Sequence, residues 1–270
     1  MLLPEVEYAR PANVAEAVRL LGANENARPL AGGQTLINVM KARAAAPEAL
    51  IDLNDLKELR AIELGADGTL ELGAMVTYAD LIDSAEARAR PILGEVTEQI
   101  ADVQVRNRGT VGGNVCASDP TNHLPPLFVA IGATMTINGV EGERTVPAED
   151  FFLGVYMTAV GPGELLTKIT VPPAKGVGDG FASVTIGRDG TCIVNVAASV
   201  DGEARMAVGC VAATPVVVTS SPDEDAVRKA VADAELDPPS DVHASANYRR
   251  SLAATLATRA VAEAKTRKKS

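Results

Sequence analysis

Two stretches set adjacent glycines beside hydroxyl and amide side chains. The first is LAGGQTLIN, Leu30 to Asn38, and the second is RNRGTVGGNV, Arg106 to Val115. Adjacent glycines let the main chain take φ > 0 and let a ligand approach the backbone to contact distance. Where such a turn joins a strand to a helix, the first helical amides lack partners and favour an anion. AGGQT before LINVMKAR fits that description, and Thr35 adds a hydroxyl donor. GTVGGN offers a similar nest, with Thr110 and Asn114 as side-chain donors. Neither turn is a P-loop, and no G-x-G-x-x-G opens a helix. A single Gly-Gly pair is more often an ordinary tight turn. Two nests together suit two phosphates in a row, as a dinucleotide presents. Basic side chains are scarce near the first turn, so amides and hydroxyls would carry the neutralisation.

Other chemistry is sparse. The two histidines, His123 and His243, form no Ser-His-Asp or metal-ligand pattern with their sequence neighbours. Cys116, Cys192 and Cys210 stand far apart without a CxxC pair. They read as buried structural thiols, too few for a protein-held iron–sulfur cluster. Asp52, Asp55 and Glu58 read as solvated or capping groups.

The elements around the turns follow from periodicity. VEYAR, NVAEAVRLLG, ARPLAGG, TLINVMKAR and ALIDLN alternate strand and helix, a βαβαβ unit that predicts a small parallel sheet. From Leu59 the pattern shifts to two short strands around a hairpin signal at Asp67-Gly68. Helices are predicted over 77–85 and 89–101. A loop, a buried apolar stretch and a strand ending at Asn138-Gly139 come next. GELLTKITVPP reads as a strand closed by two prolines. Pro172 to Gly180 reads as the domain boundary, giving units 1–57, 58–174 and 178–270. The last begins as a three-strand meander turning at Asp189-Gly190 and Asp201-Gly202, followed by helices over 223–234 and 246–265.

The chain has 270 residues, 47% of them apolar, enough for a substantial core. Its formal charge is -10, aromatics are 3% and Trp is absent, which tells against nucleic-acid binding. The basic end KTRKKS reads as a solvated terminus. MLLPEVEYARP lacks a basic n-region and is broken by Pro4, so no secretory signal is expected. No apolar run reaches membrane-span length. The expected location is cytoplasmic.

LAGGQTLI and VRNRGTVGGNV together resemble the FAD-binding medium subunit of the molybdenum hydroxylases, the family of xanthine dehydrogenase and of the flavoprotein subunit of aerobic carbon monoxide dehydrogenase. The resemblance covers nearly the whole chain. It includes YARPANVAEAVRLL, MKARAAAPEALIDLNDLKELRAI, LELGAMVTYADL and DFFLGVYMTAVGPGELLTKITVP. It implies an α+β chain: a two-subdomain FAD-binding fold of the PCMH type, then a three-stranded antiparallel sheet with a helical bundle. It implies that Ala31, Gly32, Gly33, Gln34, Thr35 and Leu36 bind FAD with Thr110, Val111, Gly112, Gly113 and Asn114, both turns holding one pyrophosphate. Asp119, His123 and Leu166 join this set. The implied partners are a large subunit carrying molybdopterin cytosine dinucleotide and a small subunit with [2Fe–2S] clusters, assembled as a dimer of heterotrimers. In such a complex this oxidoreductase subunit passes electrons from the clusters through FAD to an external acceptor.

The sequence also departs from the family pattern. His123 stands where many members have the second Asp of D-P-x-x-D. By alignment, Cys192 and Ser183 fall where many members have an aromatic residue beside the flavin and a nearby Lys. Lys168 in LLTKI stands where Glu is frequent and reads as surface or partner-facing. The DPTNHLPP stretch tells against a standard carbon monoxide dehydrogenase and favours an N-heteroaromatic substrate. The alternatives are a carbon monoxide dehydrogenase medium subunit, a stand-alone flavin oxidase, and an assembly module that has lost FAD.

Overall fold

The computed structural model describes residues 3–187 and 190–268. The first unit is the expected βαβαβ: β1 (Glu7–Ala9), α1 (Val14–Ala23), β2 (Ala27–Leu30), α2 (Leu36–Lys41) and β3 (Ala49–Asp52). Asn13 caps α1 by accepting from the Glu16 amide. Ala17, Val18 and Leu21, spaced for one helical face, are buried. The sheet is parallel in the order β1-β3-β2, and every residue of its central strand is buried. Parallel strands covered on both faces are expected to be apolar throughout, so Asp52 at the end of β3 is an exception.

The second unit opens with the hairpin β4 (Ile62–Leu64) and β5 (Leu70–Gly73) across Asp67-Gly68. The Asp67 carboxylate accepts from the Thr69 amide and hydroxyl. Thr77 caps α3 (Tyr78–Asp83) with a reciprocal capping box. The second expected helix is shorter than 89–101. A 3-10 turn at Ala87–Ala89 precedes α4 (Ile92–Thr97), which starts after Pro91, and Ala101 at φ +46° ends the segment. Next come α5 (Val103–Arg106), α6 (Val111–Ala117) and α7 (Leu124–Ala130). The second glycine turn thus opens a helix where a loop was expected, and the buried apolar stretch after it is helical too. Pro125 and Pro126 sit in the first turn of α7, where a missing N–H costs no helical bond. Further on are β6 (Thr134–Gly139), β7 (Gly142–Pro147), α8 (Ala148–Phe151), β8 (Phe152–Gly154), β9 (Met157–Thr158) and β10 (Leu165–Val171). The sheet runs β4-β5-β10-β6-β7, all antiparallel.

The third unit begins inside the expected linker, because β11 (Gly178–Thr185) already contains Gly178 and Gly180. These glycines serve close packing. A Cβ at Gly180 would lie 2.9 Å from the Ala264 amide nitrogen, and one at Gly178 2.7 Å from that of Lys268. β12 (Cys192–Asp201), β13 (Glu203–Gly209) and β14 (Val216–Ser220) complete a four-stranded antiparallel sheet, one strand more than expected. The extra reversal carries no Asp-Gly signal. It turns where Cys210 takes φ +65°, a left-handed conformation usually left to glycine or asparagine. Asp201-Gly202 is a turn as expected. Asp189 lies outside the described residues.

Two helices, α9 (Glu224–Asp233) and α10 (Ala246–Lys268), near the expected 223–234 and 246–265, cover one face of this sheet. Ala253, Ala257, Ala260 and Ala264 of α10 are buried in a core with Val194, Val196 and Val208. The other face presents Phe181, Ala197 and Ala207, in register with one another, to the core that holds α7. Arg90 ties the second unit to the third: Nε and Nη2 meet the Asp179 carboxylate at 2.7 and 2.9 Å, and Nη1 donates to the Pro172 carbonyl at 2.8 Å. Both side chains are buried. Among the described residues no helix is long and apolar enough to cross a membrane.

Candidate functional site

The first glycine turn leaves β2 at Leu30 and enters α2 at Leu36. Gly33 has φ +73°, which brings its carbonyl round to accept from the Ile37 amide at 3.2 Å. The Thr35 carbonyl accepts from Val39 at 3.0 Å. The turn's carbonyls are therefore used, whereas the amides of Gly32, Gly33, Gln34 and Thr35 donate to no protein acceptor among the described residues. Thr35 is exposed and its hydroxyl makes no capping bond. Gln34 folds back, donating from Nε2 to the Gly32 carbonyl at 3.2 Å.

A partly buried network holds this turn from behind. Asn54 donates from Nδ2 to the Ala31 carbonyl at 3.1 Å and to Asp52 Oδ1 at 2.6 Å. Tyr8 donates its hydroxyl to the other Asp52 oxygen, and Arg60 donates to the Asn54 carbonyl at 3.1 Å. Burial pushes the Asp52 carboxyl up, but the bonds from Tyr8 and Asn54 outweigh it and hold the carboxyl below the usual range. Asp52 is thus neither solvated nor a helix cap. The sequence signal for it was the D-x-N spacing straight after a strand, an Asx-turn pattern.

The second turn opens α6 but is not a second nest. The amides after Thr110 are spoken for: Val111 donates to the Val76 carbonyl at 2.9 Å and Gly112 to Ala74 at 2.9 Å. Gly113 donates to the Thr110 hydroxyl oxygen at 3.1 Å. Gly112 is packed so closely that a Cβ would lie 2.6 Å from the Ala74 Cβ. Asn114 donates from Nδ2 to the Tyr78 hydroxyl at 2.9 Å, and its Oδ1 is buried with no partner. Burial pushes the Tyr78 hydroxyl up to about 12. The two turns touch. A Cβ on Gly32 would lie 2.9 Å from Gly109 Cα, and one on Gly113 would lie 3.5 Å from the Ala31 Cβ.

The remaining expected residues scatter around this contact. Asp119 follows α6 and accepts the Thr121 amide and hydroxyl at 2.9 and 2.8 Å. His123 is buried, its Nδ1 3.2 Å from Asn195 Nδ2 and its ring centroid 5.3 Å from that of Phe181. Leu166 on β10 is 2% exposed and belongs to the sheet core, not to the surface around the turns. Ser183 bonds Gln99 across the units at 3.3 Å. Lys168 pairs with Glu71 on the neighbouring strand at 2.9 Å. Among the described residues no cluster of His, Cys, Asp and Glu could hold a metal ion.

Residues 4–174, which contain both turns, match the family described as the FAD binding domain in molybdopterin dehydrogenase. The chain belongs to this family. It is 41% identical to the carbon monoxide dehydrogenase medium chain of Afipia carboxidovorans, with all of each chain covered. It is 33% identical to the nicotine 6-hydroxylase medium subunit of Paenarthrobacter nicotinovorans, over 98% of this chain and 99% of the relative. Its fold matches a solved structure of reconstituted CO dehydrogenase from Oligotropha carboxidovorans with TM-score 0.93 and 38% identity, covering 99% of this chain and 100% of that one.

This member of the FAD-binding molybdopterin dehydrogenase family is an oxidoreductase flavoprotein. Its donor set fits the cofactor. Free amides and an exposed hydroxyl on one turn suit a pyrophosphate without a basic side chain. The orphaned Asn114 Oδ1 leaves a buried acceptor for an N–H or O–H that the protein itself does not supply.

Proposed function

We propose that this chain is the electron-transfer subunit of a molybdenum hydroxylase complex, with FAD held across units 1–57 and 58–174. The contact between the two glycine turns, with four consecutive free amides on the first, is the observation that carries the reading. Gly32, Gly33, Gln34 and Thr35 face the pyrophosphate through their amides and the Thr35 hydroxyl, while Ala31 and Leu36 shape the turn. Thr110, Val111, Gly112 and Gly113 act as the rigid seat. Asn114 accepts from the cofactor through Oδ1, and Asp119 and His123 border the site from the α6–α7 connection. Bound FAD supplies the redox chemistry; the protein supplies placement and tuning. Its partners are a large subunit with molybdopterin cytosine dinucleotide and a small subunit with [2Fe–2S] clusters, in a cytoplasmic dimer of heterotrimers. Electrons arrive from the clusters and leave to an external acceptor.

Two substrates for the complex have support. The 41% identity to a carbon monoxide dehydrogenase medium chain favours carbon monoxide. The 33% identity to a nicotine 6-hydroxylase subunit, with His123 in place of the family's second Asp, favours an N-heteroaromatic. The first test is the visible absorption spectrum of the purified chain and the identity of flavin released by acid. Released FAD supports the binding role. A colourless chain that takes up no FAD even when assembled with its partner subunits overturns it and leaves an assembly module. Dye reduction by the complex with carbon monoxide or with an N-heteroaromatic then separates the two substrates. Reduction by either substrate with the chain alone would point to a stand-alone oxidase.

A further inference from the structure

Cys192 begins β12, and Cys210 ends the run that leaves β13. They are 18 residues apart in sequence, yet their side chains meet around one amide. Asn195 Nδ2 lies 3.5 Å from Cys192 Sγ, 3.8 Å from Cys210 Sγ and 3.2 Å from His123 Nδ1. The neighbouring Cys210 thiol and His123 ring hold the Cys192 thiol below its ordinary range, against the opposing effect of burial. All four residues are buried.

The backbone is shaped for this meeting. The pairing of β11 with β12 shifts by one residue between Val184–Val194 and Thr185–Cys192. A bulge of this kind turns a side chain onto the face it would otherwise leave. It puts Cys192 on the same face as Asn195, which is paired with Gly209. Cys210 follows Gly209 directly and holds a left-handed φ of +65°. Asn195 Oδ1 fills the space a Gly209 side chain would take and has no partner. A narrow crevice lined by Ser118, Asp119, Pro126, Gly209 and Pro215 reaches the chain beside Cys210.

We propose that Cys192 and Cys210 are an oxidative modification site, a dithiol that a small hydroperoxide converts to a disulfide. The Cys192 thiolate attacks the nearer peroxide oxygen; an S–O bond forms, the O–O bond breaks, and the departing oxygen leaves as water after protonation. The Cys210 sulfur then attacks the Cys192 sulfenic acid, an S–S bond forms, the S–O bond breaks, and a second water leaves with the thiol proton. Two thiols and one hydrogen peroxide give one disulfide and two waters. Cys192 is the attacking residue because the Asn195 Nδ2 donor lies nearer its sulfur, at 3.5 Å against 3.8 Å for Cys210, and its thiol is held below the ordinary range, both of which favour the thiolate. Cys210 resolves because its sulfur lies against the same Asn195 nitrogen. Cys116 stands apart, partly buried against the apolar core, and desolvation there pushes its thiol up to about 12.

The inference does not depend on FAD. The test uses the full-length chain, reduced with a phosphine, desalted without oxygen and exposed to a small excess of hydrogen peroxide. Alkylation in denaturant, intact mass and peptide mapping follow. The expected product is two hydrogens lighter, leaves only Cys116 open to alkylation and yields a peptide pair joined through Cys192 and Cys210. Fresh phosphine returns all 3 thiols. Cys210→Ser should stop at a sulfenic acid on Cys192 that dimedone traps. Cys192→Ser should react at least about tenfold more slowly. The wild-type mass decides the matter even where a variant folds poorly. Three alkylatable thiols after peroxide, a link through Cys116, or sulfinic acid at Cys192 without a link would each overturn the proposal.

Discussion

Gly32 packs against the backbone of Arg108 and Gly109, so that a Cβ on it would stand 2.7 Å from the Arg108 carbonyl carbon. This contact brings two distant glycine motifs together. It also explains the first glycine of the doublet, since Gly33 is the one with positive φ. Backbone cannot yield to an inserted methyl as a flexible side chain does. Gly32→Ala should therefore destabilise the chain by about 1–3 kcal/mol, the range for overpacking. It should also lower FAD occupancy severalfold. Urea unfolding and flavin-to-protein absorbance measure the two, and an unchanged flavin ratio would sever the packing from the binding.

Asn54 holds the same turn by its Ala31 carbonyl. Asn54→Ala should cost about 1 kcal/mol of stability, as for a typical lost hydrogen bond. FAD should also dissociate faster. Dilution of the loaded protein, followed by flavin fluorescence, reads the release rate.

Asp52 adds a pH dependence. Its carboxyl is held below its ordinary value in the folded state, so above the unfolded pKa its contribution to stability is complete. As pH falls through the lowered folded value, the contribution is lost. Denaturant midpoints measured from pH 7 down to about pH 3 should fall more steeply for the wild type than for Asp52→Asn. Parallel curves would remove Asp52 from the account.

Arg90 and Asp179 form a buried ion pair across the second and third units. Arg90→Met leaves the Asp179 carboxylate buried and unpaired, with an expected loss of about 3–5 kcal/mol. Arg90→Met combined with Asp179→Leu should recover most of that loss. A double mutant no more stable than the single would show that the Pro172 carbonyl bond matters more than the pair.

Much of the fold was legible in the sequence. The βαβαβ order, the Asp67-Gly68 hairpin and the helix start at Asn13 all rest on contacts within a few residues, and local pattern reports those well. The two glycine motifs were legible for the same reason. Their different tasks were not. Whether an amide at a helix start is free depends on what lies in front of it. Val76 and Ala74, some 35 residues upstream of α6, occupy the amides of the second turn, while nothing in the described structure occupies those of the first. The fourth strand of the last sheet was missed because Cys210 turns the chain without a glycine signal. Gly178 and Gly180 read as linker because sequence cannot show that a helix 80 residues later lies against them. The cysteines read as isolated thiols, since only the β11–β12 bulge and the Asn195–Gly209 register bring them together. The sequence by itself determined most of the elements, because short-range hydrogen bonding and periodicity set them. Tertiary structure alone decided which donors stay free and which thiols meet, because those depend on groups that only the packed chain brings within bonding distance.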